Sequence, residues 1–241
     1  MRMAVALGLF LLVGGCAQTT ETGRSVANSA SSFDPKQIGK SDVDRVADLH
    51  RRDAFASVRL LAEKLYRRNP REWKKGGHAS IEAALDRLLD PRTGWRLAEL
   101  GDKHSTDAIL LSLREDYTGD RVAAFISGLG GMLHLAFDEK IEFFMTDELD
   151  PQKLYNSARN LEIAAWKLAN ARDARGNLLL LTNELLAPPQ VPNLSFEREF
   201  GKMIGNLDIL SKLIADKGHR TIARLAQSVA TALFLPVAAL R

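Results

Sequence analysis

The sequence predicts an all-α protein, an irregular multi-helix bundle preceded by a signal peptide and a flexible tether. Three observations carry that reading. Apolar residues recur at spacings of three and four through most of residues 41–236. Ser, Asp or Asp-Pro stands in front of these runs, and Gly or Pro stands behind them. No window of strict apolar–polar alternation reaches the length of a strand, although residues 141–145 are compatible with a short one.

Each element has its own signal. Ser41 is placed to cap a helix, with Asp44 completing a capping box. Val43, Val46, Ala54, Val58, Leu61 and Leu65 then keep near-helical spacing until Asn69-Pro70 stops the run. Gly76-Gly77 reads as a hinge, and Ser80 precedes a short helix with Ile81, Ala84, Leu85 and Leu88. Ser105 is expected to cap a helix that Gly119 ends, and Asp120 to cap the next. Asp150-Pro151 pairs a cap with proline at the first helical position, opening a helix that buries Leu154, Ala158, Leu161, Ala165 and Leu168. Residues 178–186 read as a further apolar helix, ended by Pro188-Pro189. Ser195 starts another, with Phe196, Phe200, Met203, Leu207, Leu210 and Ile214, closed by Gly218. The last runs from about Thr221 through Ile222, Leu225, Val229 and Leu233 to Pro236.

The first sixteen residues decide where the chain is expected to reside. Arg2 precedes an apolar run, Val5 to Val13, which is too short for the roughly 20 residues of a membrane-spanning helix. It ends in Val13-Gly14-Gly15-Cys16, which resembles the lipobox of bacterial lipoproteins. That resemblance implies cleavage after Gly15 and acylation of Cys16, the only cysteine of the chain. One acyl chain anchors only marginally and two or three anchor stably. By the same resemblance, an Asp at the next position would imply inner-membrane retention in enteric-type sorting, so Ala17 leans towards the outer membrane, facing the periplasm. A lone cysteine excludes an internal disulfide, so the folded part relies on its apolar core. The organisation read from the sequence is a signal peptide over 1–15, a lipidated Cys16 with a polar linker over 16–40, and a helical domain over 41–241.

Charge is nearly balanced overall, at +3, but unevenly spread. Residues 51–75 carry nine Lys or Arg against three acids, and residues 138–150 carry six acids against Lys140. Such polarity can orient a protein at a charged partner, and it equally describes solvated helix faces. Nothing in it points to nucleic acid.

Catalytic signatures are sparse. The five histidines are scattered without metal-ligand spacing, no Gly-x-Ser-x-Gly elbow occurs, and Gly128-Leu129-Gly130-Gly131 lacks the Lys-Ser/Thr of a phosphate loop. No cofactor or metal is expected. Residues 122–137 hold no charge and only His134, which reads as a central buried helix with a hydrogen-bonded core histidine. The alternative is that its glycines leave room for an apolar ligand. Glu184 is the acid whose apolar neighbours would most raise its pKa. The best candidate ligand site is the helix opened by Pro151. At 100° per residue, Tyr155, Arg159, Glu162 and Trp166 fall within about 60° of one another, well away from the apolar stripe. Rings beside an Arg and a Glu suit a polar ligand groove. The competing reading is an Arg159–Glu162 pair at i,i+3 beside half-buried rings.

Two further segments, Tyr66-Arg67-Arg68-Asn69-Pro70-Arg71-Glu72-Trp73 and Asp147-Glu148-Leu149-Asp150-Pro151-Gln152-Lys153-Leu154-Tyr155-Asn156, together with Asn193-Leu194-Ser195-Phe196-Glu197, resemble helical lipoproteins of proteobacteria. The resemblance implies a Gram-negative envelope and a helical fold. It implies no activity and no site residues. The function expected from the sequence is a non-catalytic binding or scaffold module, held at the membrane through its lipid and engaging an envelope protein or an apolar ligand. The alternatives are a lipid-handling protein using residues 122–137 or 230–240, and a hydrolase of peptidoglycan or lipid.

Overall fold

The structure is a computed structural model and describes residues 38–183, 193–224 and 228–237. Every described residue belongs to one compact unit, Lys36–Arg241. Cys16 and Glu184 lie outside the described residues.

The described residues are helical and contain no strand. Seven α-helices follow in order: α1 (Asp42–Arg68), α2 (Pro70–Lys75), α3 (Ile81–Leu88), α4 (Ser105–Ser112), α5 (Arg121–Ala136), α6 (Pro151–Asn170) and α7 (Ser195–Lys217). Helices α1, α5, α6 and α7 pack in a closed cycle, each against two others, and α4 covers the outer side of α5. The core is the meeting of Val58, Leu61 and Leu65 with Phe125, Leu129 and Met132, Leu154 and Leu161, and Phe200, Met203 and Leu207.

Local chemistry explains most boundaries. Ser41 and Asp44 form the capping box of α1: the Asp44 amide donates to Ser41 Oγ at 3.3 Å and the Ser41 amide to Asp44 Oδ2 at 2.7 Å. Asp120 and Asp150 cap α5 and α6, accepting from Ala123 N at 2.9 Å and Gln152 N at 2.8 Å. Ser105 does not act as a cap. It is the first residue of α4, behind His104, and α4 ends at Ser112, well before Gly119.

The glycines of α5 are filled rather than left as space. A Cβ on Gly128 would lie 2.7 Å from the Ile109 amide and from the Ser105 carbonyl, and one on Gly130 would sit inside the Trp95 indole. Trp95 stacks on Phe55 with ring centroids 5.4 Å apart, while Ser127 Oγ donates to its carbonyl at 2.6 Å. These contacts let backbone and indole close over α5, and fourteen of its residues are buried.

Three segments differ from the sequence expectation. Residues 178–183 are not helical. Asn69 pairs with both backbone groups of Leu181, accepting from its amide at 2.7 Å and donating to its carbonyl at 2.9 Å, so a side-chain fork replaces helical hydrogen bonds. Residues 221–224 and 228–237 are also non-helical. A ladder on α6 holds them: Asn160 accepts from Leu235 N at 2.6 Å and donates to its carbonyl at 2.8 Å, and Asn156 donates to Pro236 O at 2.7 Å. Residues 141–145 form a loop, tied by the Phe143 amide to Asp48 Oδ1 at 2.9 Å and by the Met145 amide to Gly39 O at 3.0 Å. The acidic run is matched locally: Asp138 with Lys153 at 2.7 Å, Asp147 with Lys140 at 2.5 Å, Glu142 with Lys40 at 3.7 Å and Glu148 with Arg220 at 3.0 Å.

Candidate functional site

Helix α6 presents three stripes. The apolar one, Leu154, Ala158, Leu161, Ala165 and Leu168, is buried in the core. The amide one, Gln152, Asn156 and Asn160 at successive i,i+4 positions, fastens the C-terminal segment. The third carries Tyr155, Arg159, Glu162 and Trp166.

Arg159 is the centre of the third stripe. Its Nη2 donates to both carboxylate oxygens of Asp208 on α7, at 2.9 and 2.7 Å, and its Nη1 lies 3.0 Å from Glu162 Oε1. The guanidinium carbon lies 5.2 Å from the centroid of the Tyr155 ring, close enough for a cation–π contact. Burial raises the Glu162 pKa, opposed by Arg159 and assisted by Asp208. Tyr155, Arg159 and Asp208 line a cleft of about 240 Å³ together with Ser211, Lys212, Ile222 and Arg224. Trp166 stands apart: with Leu110, Leu113, Arg114 and Asn170 it borders a separate cleft of about 360 Å³. The structure therefore joins Tyr155, Arg159 and Glu162 and leaves Trp166 elsewhere.

Sequence reasoning missed Asp208, Lys212, Ile222 and Arg224. A signal existed for the first two. Asp208, Ser211 and Lys212 sit at i,i+3,i+4 on α7, on a stripe distinct from the buried Phe200, Met203, Leu207 and Leu210. Arg224 had no such signal, because its position follows from the clamp on Ala223, where Gln152 accepts from the amide at 2.8 Å and donates to the carbonyl at 3.0 Å.

A second polar cluster lies at the N-terminus of α5. Asp120 Oδ2 accepts from the buried Tyr66 hydroxyl at 2.9 Å, and Glu72 Oε2 accepts from the Arg121 amide at 2.9 Å. Two carboxylates thus sit where the helix dipole is positive. Burial is the largest cause raising the Asp120 pKa, and the hydrogen bonds from Ala123 N and Tyr66 oppose it. The Arg121 side chain turns the other way and donates to the carbonyls of Ser112, the last residue of α4, and of Arg114 and Glu115 just after it, at 2.7, 2.6 and 3.1 Å. Tyr117 and His78 border the cluster.

His134 is half-buried, and its Nδ1 has no hydrogen-bond partner, contrary to the expectation of a hydrogen-bonded core histidine. Desolvation lowers its pKa, so the ring stays neutral more readily. It borders a cavity of about 20 Å³ with Trp95, His104 and Glu139, enough for one water. Among the described residues no three His, Cys, Asp or Glu gather as a metal set, and no helix is long and apolar enough to cross a membrane. No family model, curated protein or solved structure matches the chain.

Proposed function

We propose that this chain is a lipid-anchored binding module of a Gram-negative envelope, held at the outer membrane through Cys16, facing the periplasm, and acting without catalysis. The observation that carries the binding role is the open cleft between α6, α7 and residues 222–224, whose walls are fixed by Gln152 and by the Arg159–Asp208 pair. A fixed polar wall beside the Tyr155 ring suits recognition of an envelope component better than packing alone requires. The reading of an apolar ligand within α5 loses support, because Trp95 and the α4 backbone occupy the space its glycines leave.

The test is purification of the full chain from membranes in a maltoside detergent, with mass spectrometry of everything retained. A stoichiometric component held by the wild type and lost from Ile222→Asp, at unchanged melting temperature, is the expected result. The same composition in both proteins would sink the proposal. The anchor has its own check. Cys16→Ala is expected to leave the membrane fraction without unfolding, and continued fractionation with membranes would overturn the lipid assignment.

A second reading, direct membrane contact, rests on Ile38, Ile141 and Met145, which are 71%, 71% and 61% exposed around the Gly39–Met145 backbone bond. Vesicle binding by the Cys16→Ala chain, lost on Ile141→Asp, would favour it.

A further inference from the structure

We infer that the α6–α7 cleft recognises a phosphate monoester, with Lys212 and Arg224 as its cationic clamp. This inference rests on the cleft being the ligand site of the binding module.

The argument is one of charge left over. Asp208 is the carboxylate that lines the cleft, and Arg159 takes both of its oxygens. Glu162 pairs with the same guanidinium at 3.0 Å. The Arg159 charge is thereby answered by two carboxylates, which leaves a net charge of −1 in the wall and, with Lys212 and Arg224, a surplus of one positive charge around the cleft. Lys212 and Arg224 also line the cleft, one from α7 and one from the C-terminal segment. Neither makes an ion pair or hydrogen bond with another described residue. Two cations without a partner among the described residues therefore line one cavity from different walls.

Their placement is built, not incidental. Gln152 clamps the Ala223 backbone in both directions, which holds the adjacent Arg224 at the cavity. Ser211 Oγ donates to Asp208 O at 3.0 Å, within the turn of α7 that carries Lys212 one residue on. Tyr155 and Ile222 provide the less polar surface for whatever carries the charged group.

The chemistry selects the ligand. A phosphate monoester carries about −1.5 to −2 at neutral pH and three acceptor oxygens, matching two cations on different walls. A carboxylate offers one charge and a planar pair of oxygens, which suits a single bidentate arginine. The site is open, so binding weakens as salt rises. The ester can come from a soluble metabolite or from a lipid headgroup, and the chemistry recognised is the same.

The experiment uses the full chain in maltoside detergent. Inorganic phosphate, glycerol 3-phosphate and acetate are titrated by calorimetry and by amide NMR. Vesicles of phosphatidylcholine with and without phosphatidic acid, mixed with the detergent-free Cys16→Ala chain, form the second arm. The expected result is saturable binding of both phosphates, with amide shifts gathered at residues 155, 211–212 and 222–224. Each of Lys212→Ala and Arg224→Ala should weaken it about tenfold or more, the scale of a charge-assisted contact. Preference for phosphatidic acid vesicles over soluble ester assigns a lipid source, and the reverse assigns a soluble one. Three outcomes would overturn the inference: no shifts at the cleft, binding indifferent to both substitutions, or acetate binding as strongly as phosphate. If Ile222→Asp still releases a co-purifying component while phosphate fails to bind, the binding module stands and only its ligand class falls.

Discussion

Two polar clusters of similar size end in opposite states. At the N-terminus of α5, Tyr66, Glu72, Asp120 and Arg121 meet at buried positions, and their donors and acceptors are used on one another, on helix ends and on the Lys75 ammonium. Between α6 and α7, Tyr155, Arg159 and Asp208 meet at half-exposed positions, and two cations beside them have no partner among the described residues. Buried polar groups without partners are expensive, so a sealed cluster must satisfy itself through hydrogen bonding. An open one is relieved of that demand by water, and its spare charge is free for a ligand. Perturbed pKa values occur in both places, at Asp120 and at Glu162, and do not tell them apart. The saturation of partners does.

The sharpest way to break this comparison is at the sealed cluster. Asp120→Ala removes the cap of α5 and orphans the Tyr66 hydroxyl, together about 2–4 kcal/mol. For a domain of this size that is a fall of roughly 5–15 °C in melting temperature, measurable by circular dichroism. A fall of under about 2 °C would show that the cluster is not structural. Asn160→Ala comes next. It leaves the amide and carbonyl of Leu235 unpaired, about 1–3 kcal/mol, and exposes the C-terminal segment to amide exchange. Unchanged exchange at Leu235 would mean that the ladder on α6 is not what holds the segment.

Arg159→Leu tests the open cluster. Its side chain is 25% exposed and its partners 28% and 34%, so solvent screens the pairs and the loss should be about 1 kcal/mol, smaller than at Asp120. Thermal melts of the two variants in the same buffer decide the order.

Acid unfolding separates the groups by sign. The Lys140 hydrogen bond holds Asp147, and the Arg87 hydrogen bond holds Glu99, below the usual carboxylate range. Their contribution is present above the unfolded pKa and is lost as pH falls through the lowered folded value. Asp120 and Glu162 are raised by burial, so their contribution is present below the unfolded pKa and is lost as pH rises through the folded one. Denaturant melts across this range should show Lys140→Met flattening the acid-side loss, and an unaltered slope would contradict the Asp147 assignment. The smallest effect belongs to Lys212→Ala with Arg224→Ala. Both side chains are exposed and without partners among the described residues, so stability should stay within about 0.5 kcal/mol. A larger fall in the same denaturant melts would mean that these cations already serve the fold.

Legibility followed the range of the interactions. Ser41 with Asp44, Asp120 and Asp150-Pro151 announce helix starts because a cap acts within three residues. The burial of Leu154, Ala158, Leu161, Ala165 and Leu168 follows from one period on one helix. The Arg159–Glu162 pair was visible for the same reason. Residues 178–183 misled because an apolar run reads alike in a helix and in a covered irregular segment, and the deciding partner, Asn69, is 112 positions away. Residues 221–224 and 228–236 misled in the same way, since Asn156 and Asn160 read as ordinary polar positions until they meet Pro236 and Leu235. Asp208 is 49 positions from Arg159, so its capture of the guanidinium was invisible.

By itself the sequence determined the helical class, the starts of α1, α3, α5 and α6, the buried stripe of α6 and the uncharged centre that became α5. All of these depend on propensity, capping and periodicity within one or two turns. The tertiary structure alone decided that Trp95 fills the glycines of α5, that side-chain amides replace helix bonds near both Leu181 and Leu235, and that Arg159 is paired while Lys212 and Arg224 find no partner among the described residues. Each of those is a choice of partner between distant segments, and a partner is fixed only when packing brings the two together.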